Sequence, residues 1–183
     1  SLRLLVNHFK SMGYSPRTDP QSNERRRGQA ERVAAIASEL DLSKRSVVID
    51  LKSAQGLARF KALLEKADVL IENWRPRVAT SLGLGQEVLT ALNPRLIRLS
   101  ITGFGDTGPL ADAPAFDSLI QGRTGIVLAE GRNNGSPAVT PYNMVDKVTG
   151  IFGSQAIIAA LYEREKTGLG AHVKLPMLDV MGY

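Results

Sequence analysis

The stretch SVVIDLKSAQGLARFKALLEKADVLIE, residues 46–72, decides the fold class. Ser46 to Leu51 is β-branched and nearly continuous in apolar residues, the pattern of a strand covered on both faces. Ser53 is placed to cap a helix whose Leu57, Phe60, Leu63 and Leu64 form one apolar stripe. Asp68 to Glu72 is a second short buried strand. Strand, helix and strand at this spacing predict a right-handed βαβ unit and a parallel sheet.

Working outward, Leu96–Thr102 reads as a third strand, reached through helical turns near 77–82 and 86–92. A loop rich in glycine and proline follows from Gly103 to Pro114. A helix is expected from about Phe116, then a short apolar strand near Ile126–Leu128. The longest helix is expected over 145–165, with small residues along much of it, stopped by the glycines of Thr167-Gly168-Leu169-Gly170. His172–Leu175 alternates like a half-exposed strand. Toward the N-terminus, Glu31–Leu40 has a helical apolar face, and Ser11–Arg27 reads as a loop or disordered lead-in. The class is α/β.

Composition narrows the function. The 183 residues hold no cysteine and two histidines, which argues against a disulfide framework, a thiolate nucleophile and a metal cluster. No apolar run is read as reaching the roughly 18 residues that span a bilayer, and the N-terminus lacks a signal-peptide core. Cytoplasm is the expected location, with no membrane partner. The net charge of +5 is spread among alternating signs. Its one tight cluster, Arg25-Arg26-Arg27, has no interleaved aromatics and reads as a solvated loop, so no nucleic-acid partner is expected. Asn134-Gly135-Ser136 matches a glycosylation sequon and reads as chance.

Three motifs could carry chemistry. Gly103-Phe104-Gly105-Asp106-Thr107-Gly108 is a literal G-x-G-x-x-G after a strand, with Glu130 at the distance of a ribose-binding acid. A dinucleotide site requires that loop to open a helix at once, and Pro109 to Pro114 cannot do so. Glu72-Asn73-Trp74-Arg75-Pro76 closes a parallel strand with an amide, an indole and a guanidinium. Those groups suit a planar base and a phosphate, and equally suit a plain strand-to-helix turn with Trp74 in the core. Asn143-Met144-Val145-Asp146-Lys147 puts a carboxylate at a helix start. A helix N-terminus favours an ionised carboxylate, which can act as a nucleophile; a first-turn aspartate is also a common structural device.

Taken in order, residues 44–179 resemble the class III CoA-transferases, the CaiB/BaiF family. Lys44 to Lys52 is similar to that family's strand leading into a lysine. Glu72–Pro76 resembles its E-N-F-R-P segment, and Leu92–Ile97 its L-N-P-R-L-(I/V) segment. Ser100–Pro109 resembles S-I-S-G-F-G-x-T-G-P, which accounts for the glycine motif. Arg164–Val173 resembles R-x-x-T-G-x-G-Q-x-V and is followed by Met177-Leu178-Asp179.

The resemblance implies a Rossmann-like parallel sheet with flanking helices. Relative to the family's interlocked-dimer fold it is incomplete, with residues 1–43 divergent or partly disordered and 44–183 a truncated large-domain core. It implies transfer of coenzyme A from an acyl-CoA to a carboxylic acid through an aspartyl anhydride and thioester, with Asp146 as the catalytic aspartate. No permanently bound cofactor or metal is implied; coenzyme A enters as substrate, and full members are homodimers. Asn73, Trp74 and Arg75 match residues lining the coenzyme A nucleotide site, and Ile49 and Lys52 match positions in the preceding strand and turn. Phe116 falls where the family often has Tyr or His beside the reacting thioester. The related α-methylacyl-CoA racemases place a proton-exchanging His there. Phenylalanine has no proton to exchange, which favours transferase over racemase. A basic residue common after E-N-F-R-P is Ser81 here. A non-catalytic coenzyme A-binding or assembly fragment is the alternative from another class.

Overall fold

A computed structural model describes residues 4–6, 47–132 and 135–182. The expected helix at 31–40, the arginine cluster at 25–27 and residue 134 of the sequon lie outside the described residues. The chain divides into two compact units, residues 10–60 and residues 1–9 with 61–183.

In chain order the elements are β1 (Leu4–Val6), α1 (Ala54–Leu64), β2 (Val69–Glu72), α2 (Pro76–Ser81), α3 (Gln86–Leu92) and β3 (Ile97–Thr102). They continue with α4 (Asp117–Arg123), α5 (Ile126–Gly131), α6 (Met144–Thr167), β4 (His172–Pro176) and α7 (Met177–Met181). The four strands among the described residues form one parallel sheet in the order β1-β2-β3-β4. Parallel neighbours need crossovers, supplied by α2–α3 between β2 and β3 and by α4–α6 between β3 and β4. The class is α/β, as expected.

Two elements depart from expectation. Residues 47–50 form no strand, and Val47 and Val48 are 60% and 63% exposed. The strand paired with the outer edge of β2 is β1 instead, and the described residues 47–51 add no strand to the sheet. Residues 126–128 are helical, not extended: Gly125, at φ 80, turns the chain from α4 straight into α5. A three-residue apolar run carries no period of its own, and the adjoining helix decides it. Ser53 caps α1 as expected, its Oγ accepting from Gly56 N at 3.0 Å.

The alternation along β3 and β4 gives the sheet two unlike faces. Gly153 of α6 lies against Leu99 and Leu175, where an added Cβ would come within 3.0 Å of Leu99 Cδ2, so α6 covers the apolar face. The opposite face carries Glu72 from β2, Arg98, Ser100 and Thr102 from β3, and His172 and Lys174 from β4. Ser100 is the register partner of both Glu72 and Lys174, and Arg98 that of His172. The loop after β3 packs closely too: an added Cβ on Gly103 would overlap Ala115.

An 18-residue window of α6 has a mean hydropathy of 1.3 and is 17% buried, so by length and composition alone this helix could cross a bilayer. The expectation that no segment is long and apolar enough is corrected to that extent. Its packing is that of a sheet-covering helix: Arg164 reaches Asp68 Oδ1 at 3.0 Å and the Arg95 carbonyl at 3.2 Å. Gly168, at φ 75, ends α6 by donating its N–H to the Arg164 carbonyl. An added Cβ on Gly170 would overlap the Leu96 carbonyl, so glycine there lets β4 start against β3.

Candidate active site

Two clusters hold five of the expected site residues, Asn73, Trp74, Arg75, Phe116 and Asp146. The first is built on Glu72, the last residue of β2. Its side chain is 1% exposed and accepts from Arg98 Nη2 at 2.8 Å, Arg98 Nε at 3.1 Å and the Ser100 hydroxyl. The other carboxylate oxygen accepts from Trp74 N at 2.7 Å. A buried carboxylate at a strand end thus fixes the turn that presents Asn73, Trp74 and Arg75. Pro76 then opens α2. Trp74 is 4% exposed, while Asn73 and Arg75 are exposed. The indole is a wall of the core, which leaves the amide and guanidinium as the groups that meet solvent.

A cavity of about 320 Å³ runs over the polar face of the sheet, lined by Trp74, Arg75, Arg98, Ser100, His172 and Lys174 among others. Lys174 pairs with Asp106 at 2.5 Å, and that hydrogen bond holds the Asp106 carboxyl below its ordinary range. The glycine loop, with Gly105 and Gly108 at φ 87 and 86, is pinned by this pair and by Gly105 N donating to Thr102 Oγ1 at 3.1 Å. No helix starts on this loop. The next is α4, which begins at Asp117, so no helix N-terminus is there to seat a pyrophosphate.

His172 Nε2 lies 2.7 Å from Ser100 Oγ. The Ser100 hydroxyl donates to Glu72, so the imidazole N–H donates to Ser100. Desolvation, with Arg98 and Lys174 nearby, lowers the His172 pKa from 6.5 to about 4. The unfolded chain therefore binds more protons between those values. Stability from this group is complete above 6.5 and is lost as pH falls toward 4. In urea titrations across that range, the wild type is expected to lose more stability than His172→Gln; equal losses would remove His172 as the cause.

The second cluster lies where α4 and α6 start. Asp146 is the third residue of α6 and is exposed. Its backbone N–H donates to Asp117 Oδ2 at 3.0 Å. Phe116, 58% exposed, immediately precedes Asp117 and stands at the N-cap of α4. Asp117 Oδ1 accepts from Gln121 Nε2 at 2.5 Å, and Gln121 Oε1 accepts from Thr140 N at 2.9 Å. Gln121 is fully buried. This corner adjoins the end of β3, because Gly103 packs on Ala115, the residue before Phe116.

The structure thus brings Trp74 and Arg75 into one cavity wall, and joins Phe116 to Asp146 through Asp117. Ile49 and Lys52 belong to the other unit. There Ile49 is half-buried and Lys52 exposed, its N–H donating to Asp50 Oδ1 at 3.0 Å. The strand expected to carry Ile49 is absent. Ser81 ends α2 with its hydroxyl bonded to the Val78 carbonyl at 2.9 Å. Sequence reasoning missed the roles of Glu72, Arg98, Asp117 and Gln121. Only the first two left a signal, as charges at strand positions beside apolar runs.

Residues 15–183 match the model of CoA-transferase family III. An acetyl-CoA:oxalate CoA-transferase of Acetobacter aceti is 45% identical over 137 residues, covering 74% of this chain and 35% of that protein. A succinate–glutarate CoA-transferase of Agrobacterium fabrum is 41% identical over 147 residues, covering 80% of this chain and 37% of that protein. Among solved structures, a CAIB/BAIF family protein from Brucella suis superposes with a TM-score of 0.73 at 38% identity, over 76% of this chain and 37% of that one. The chain therefore spans little more than a third of the length of these relatives.

Proposed function

This chain belongs to CoA-transferase family III, and we propose that it carries the nucleophile and part of the coenzyme A site of an enzyme moving coenzyme A from an acyl-CoA to a carboxylic acid. The observation that carries the proposal is the corner at the start of α6. An exposed carboxylate, Asp146, stands in the first helical turn, with its backbone tied to the residue after Phe116. In the proposed reaction an Asp146 oxygen attacks the thioester carbonyl, the carbon–sulfur bond breaks, and coenzyme A thiolate leaves a mixed anhydride on Asp146. The thiolate attacks the Asp146 carboxyl carbon, releasing the donor's carboxylic acid and leaving an aspartyl-CoA thioester. The acceptor carboxylate attacks that thioester, and the returning thiolate then takes the new acyl group and frees Asp146. Each step exchanges acyl bonds of similar energy, so no redox partner enters.

Coenzyme A itself is substrate in this reading. Asn73 and Arg75 offer an amide and a guanidinium for its nucleotide portion beside the Trp74 wall. Phe116 supplies an apolar surface at the reacting thioester. The absence of an exchangeable proton at 116 supports transfer over racemisation. A homodimer is part of the same proposal, without a membrane or nucleic-acid partner.

A second reading is coenzyme A binding without turnover, which the cavity lined by Trp74 and Arg75 supports independently of Asp146. Incubation with acetyl-CoA and hydroxylamine separates the two. The transferase reading expects an aspartyl hydroxamate on the peptide containing Asp146. Tight coenzyme A binding with no hydroxamate selects binding without turnover.

A further inference from the structure

We infer that Asp117 and Gln121 form a one-way hydrogen-bond relay that positions the helix start bearing Asp146, an inference that rests on Asp146 being the nucleophile. A helix start leaves its first N–H groups without partners, and the residue before it ordinarily caps them with its own side chain. Asn143 occupies that position and makes no side-chain cap bond. The acceptor comes from another helix: Asp117 of α4, whose Oδ2 takes the Asp146 N–H at 3.0 Å. The cap therefore registers α6 against α4, at the residue next to Phe116, as well as ending the helix.

The polarity of the relay is fixed at both ends by backbone donors. Thr140 N–H can only donate, so the Gln121 oxygen must face it at 2.9 Å and the Gln121 amino group must face Asp117 at 2.5 Å. Asp146 N–H can only donate as well. Residue 117 must then accept from both sides through two oxygens, which a carboxylate does and a carboxamide cannot. Gln121 is fully buried, so water offers it no replacement partner. The loop entering α6 at Thr140, the start of α6 and the start of α4 are thereby locked through one carboxylate. Asp117 and Gln121 are positioning residues.

The test uses three variants of the whole chain: Asp117→Asn, Gln121→Glu and the double variant. Amide hydrogen exchange is read at Asp146 by NMR, and hydroxamate formation is followed with acetyl-CoA. Asp117→Asn puts a donor against a donor, and Gln121→Glu puts two carboxylates together. Each is expected to speed exchange at Asp146 by about tenfold or more, and to slow hydroxamate formation at saturating acetyl-CoA by a similar factor. In the double variant the carboxylate introduced at position 121 accepts from the Thr140 N–H and from the amide introduced at position 117. The oxygen of that amide accepts in turn from the Asp146 N–H. Both readouts are expected to return to within about twofold of wild type.

Unchanged exchange at Asp146 in Asp117→Asn overturns the relay. So does a double variant no better than the singles, or faster exchange equally at Leu70 and Leu99 in the sheet core. A wild type with the expected exchange pattern but no hydroxamate overturns the nucleophile reading instead, so the two failures are distinct.

Discussion

Asp146→Asn is expected to abolish the hydroxylamine-trapped adduct and to lower any turnover by at least about a thousandfold, as loss of a covalent nucleophile does. The substitution is nearly isosteric and exchanges a carboxylate oxygen for an amide that cannot form an anhydride. The contact that seats α6 here runs from the Asp146 backbone N–H to Asp117, and the backbone is the same in Asn. Loss of a negative charge in the first helical turn costs about 0.3–1 kcal/mol. Activity should therefore vanish while the protein still folds, read as a cooperative urea transition. That separation distinguishes a nucleophile from the structural first-turn aspartate that is the commoner use of such a residue. An Asp146→Asn protein that still gives the hydroxamate would remove Asp146 from the chemistry.

How much of this was legible in the sequence follows from how local each signal is. Val69–Glu72 and Ile97–Thr102 are apolar or alternating runs bounded by turn residues, and both form strands within a residue of the expected bounds. Gly168 ends α6 because a left-handed residue after a long helix needs no tertiary partner. The 46–51 run misleads for the opposite reason. A β-branched apolar stretch states that it can be a strand, but pairing is settled by which segment reaches the sheet edge, and Leu4–Val6 holds it. The Asp146 corner is half legible. Family motifs in order mark Asp146 and Phe116, whereas Asp117 and Gln121 are ordinary residue types whose partners lie 29 and 19 positions away. No spacing rule reaches that far. The polar sheet face is visible only as alternation. That Arg98 is buried rather than solvent-facing depends on Glu72 standing opposite it in the neighbouring strand.

That pair carries the largest stability effect. Glu72→Ala is expected to destabilise the protein by about 3–5 kcal/mol, because it strands a buried guanidinium. The Arg98 side chain is 8% exposed and Glu72 1%, so water compensates poorly for the lost carboxylate. The same change removes the acceptor of Trp74 N, at 2.7 Å, and that of the Ser100 hydroxyl. By the ordinary scaling for a chain of this size the thermal midpoint should fall by roughly 10 °C. The cost belongs to the broken pair rather than to any large net gain from having it. Bringing two charges out of water offsets most of their attraction, so removing both should be far milder than removing one. The double variant Glu72→Gln with Arg98→Met should accordingly regain most of the stability that Glu72→Ala loses. Urea titrations of the two proteins measure this directly. A Glu72→Ala loss below about 1 kcal/mol, the scale of an exposed pair, would show that the cluster is hydrated and not a buried hub. A further consequence reaches the site: Glu72 sets the turn that presents Asn73 and Arg75. Glu72→Gln, folded at low temperature, should then bind coenzyme A more weakly than wild type even before it unfolds. Equal affinity in the folded variant would separate the hub from the site and leave it a stability element alone.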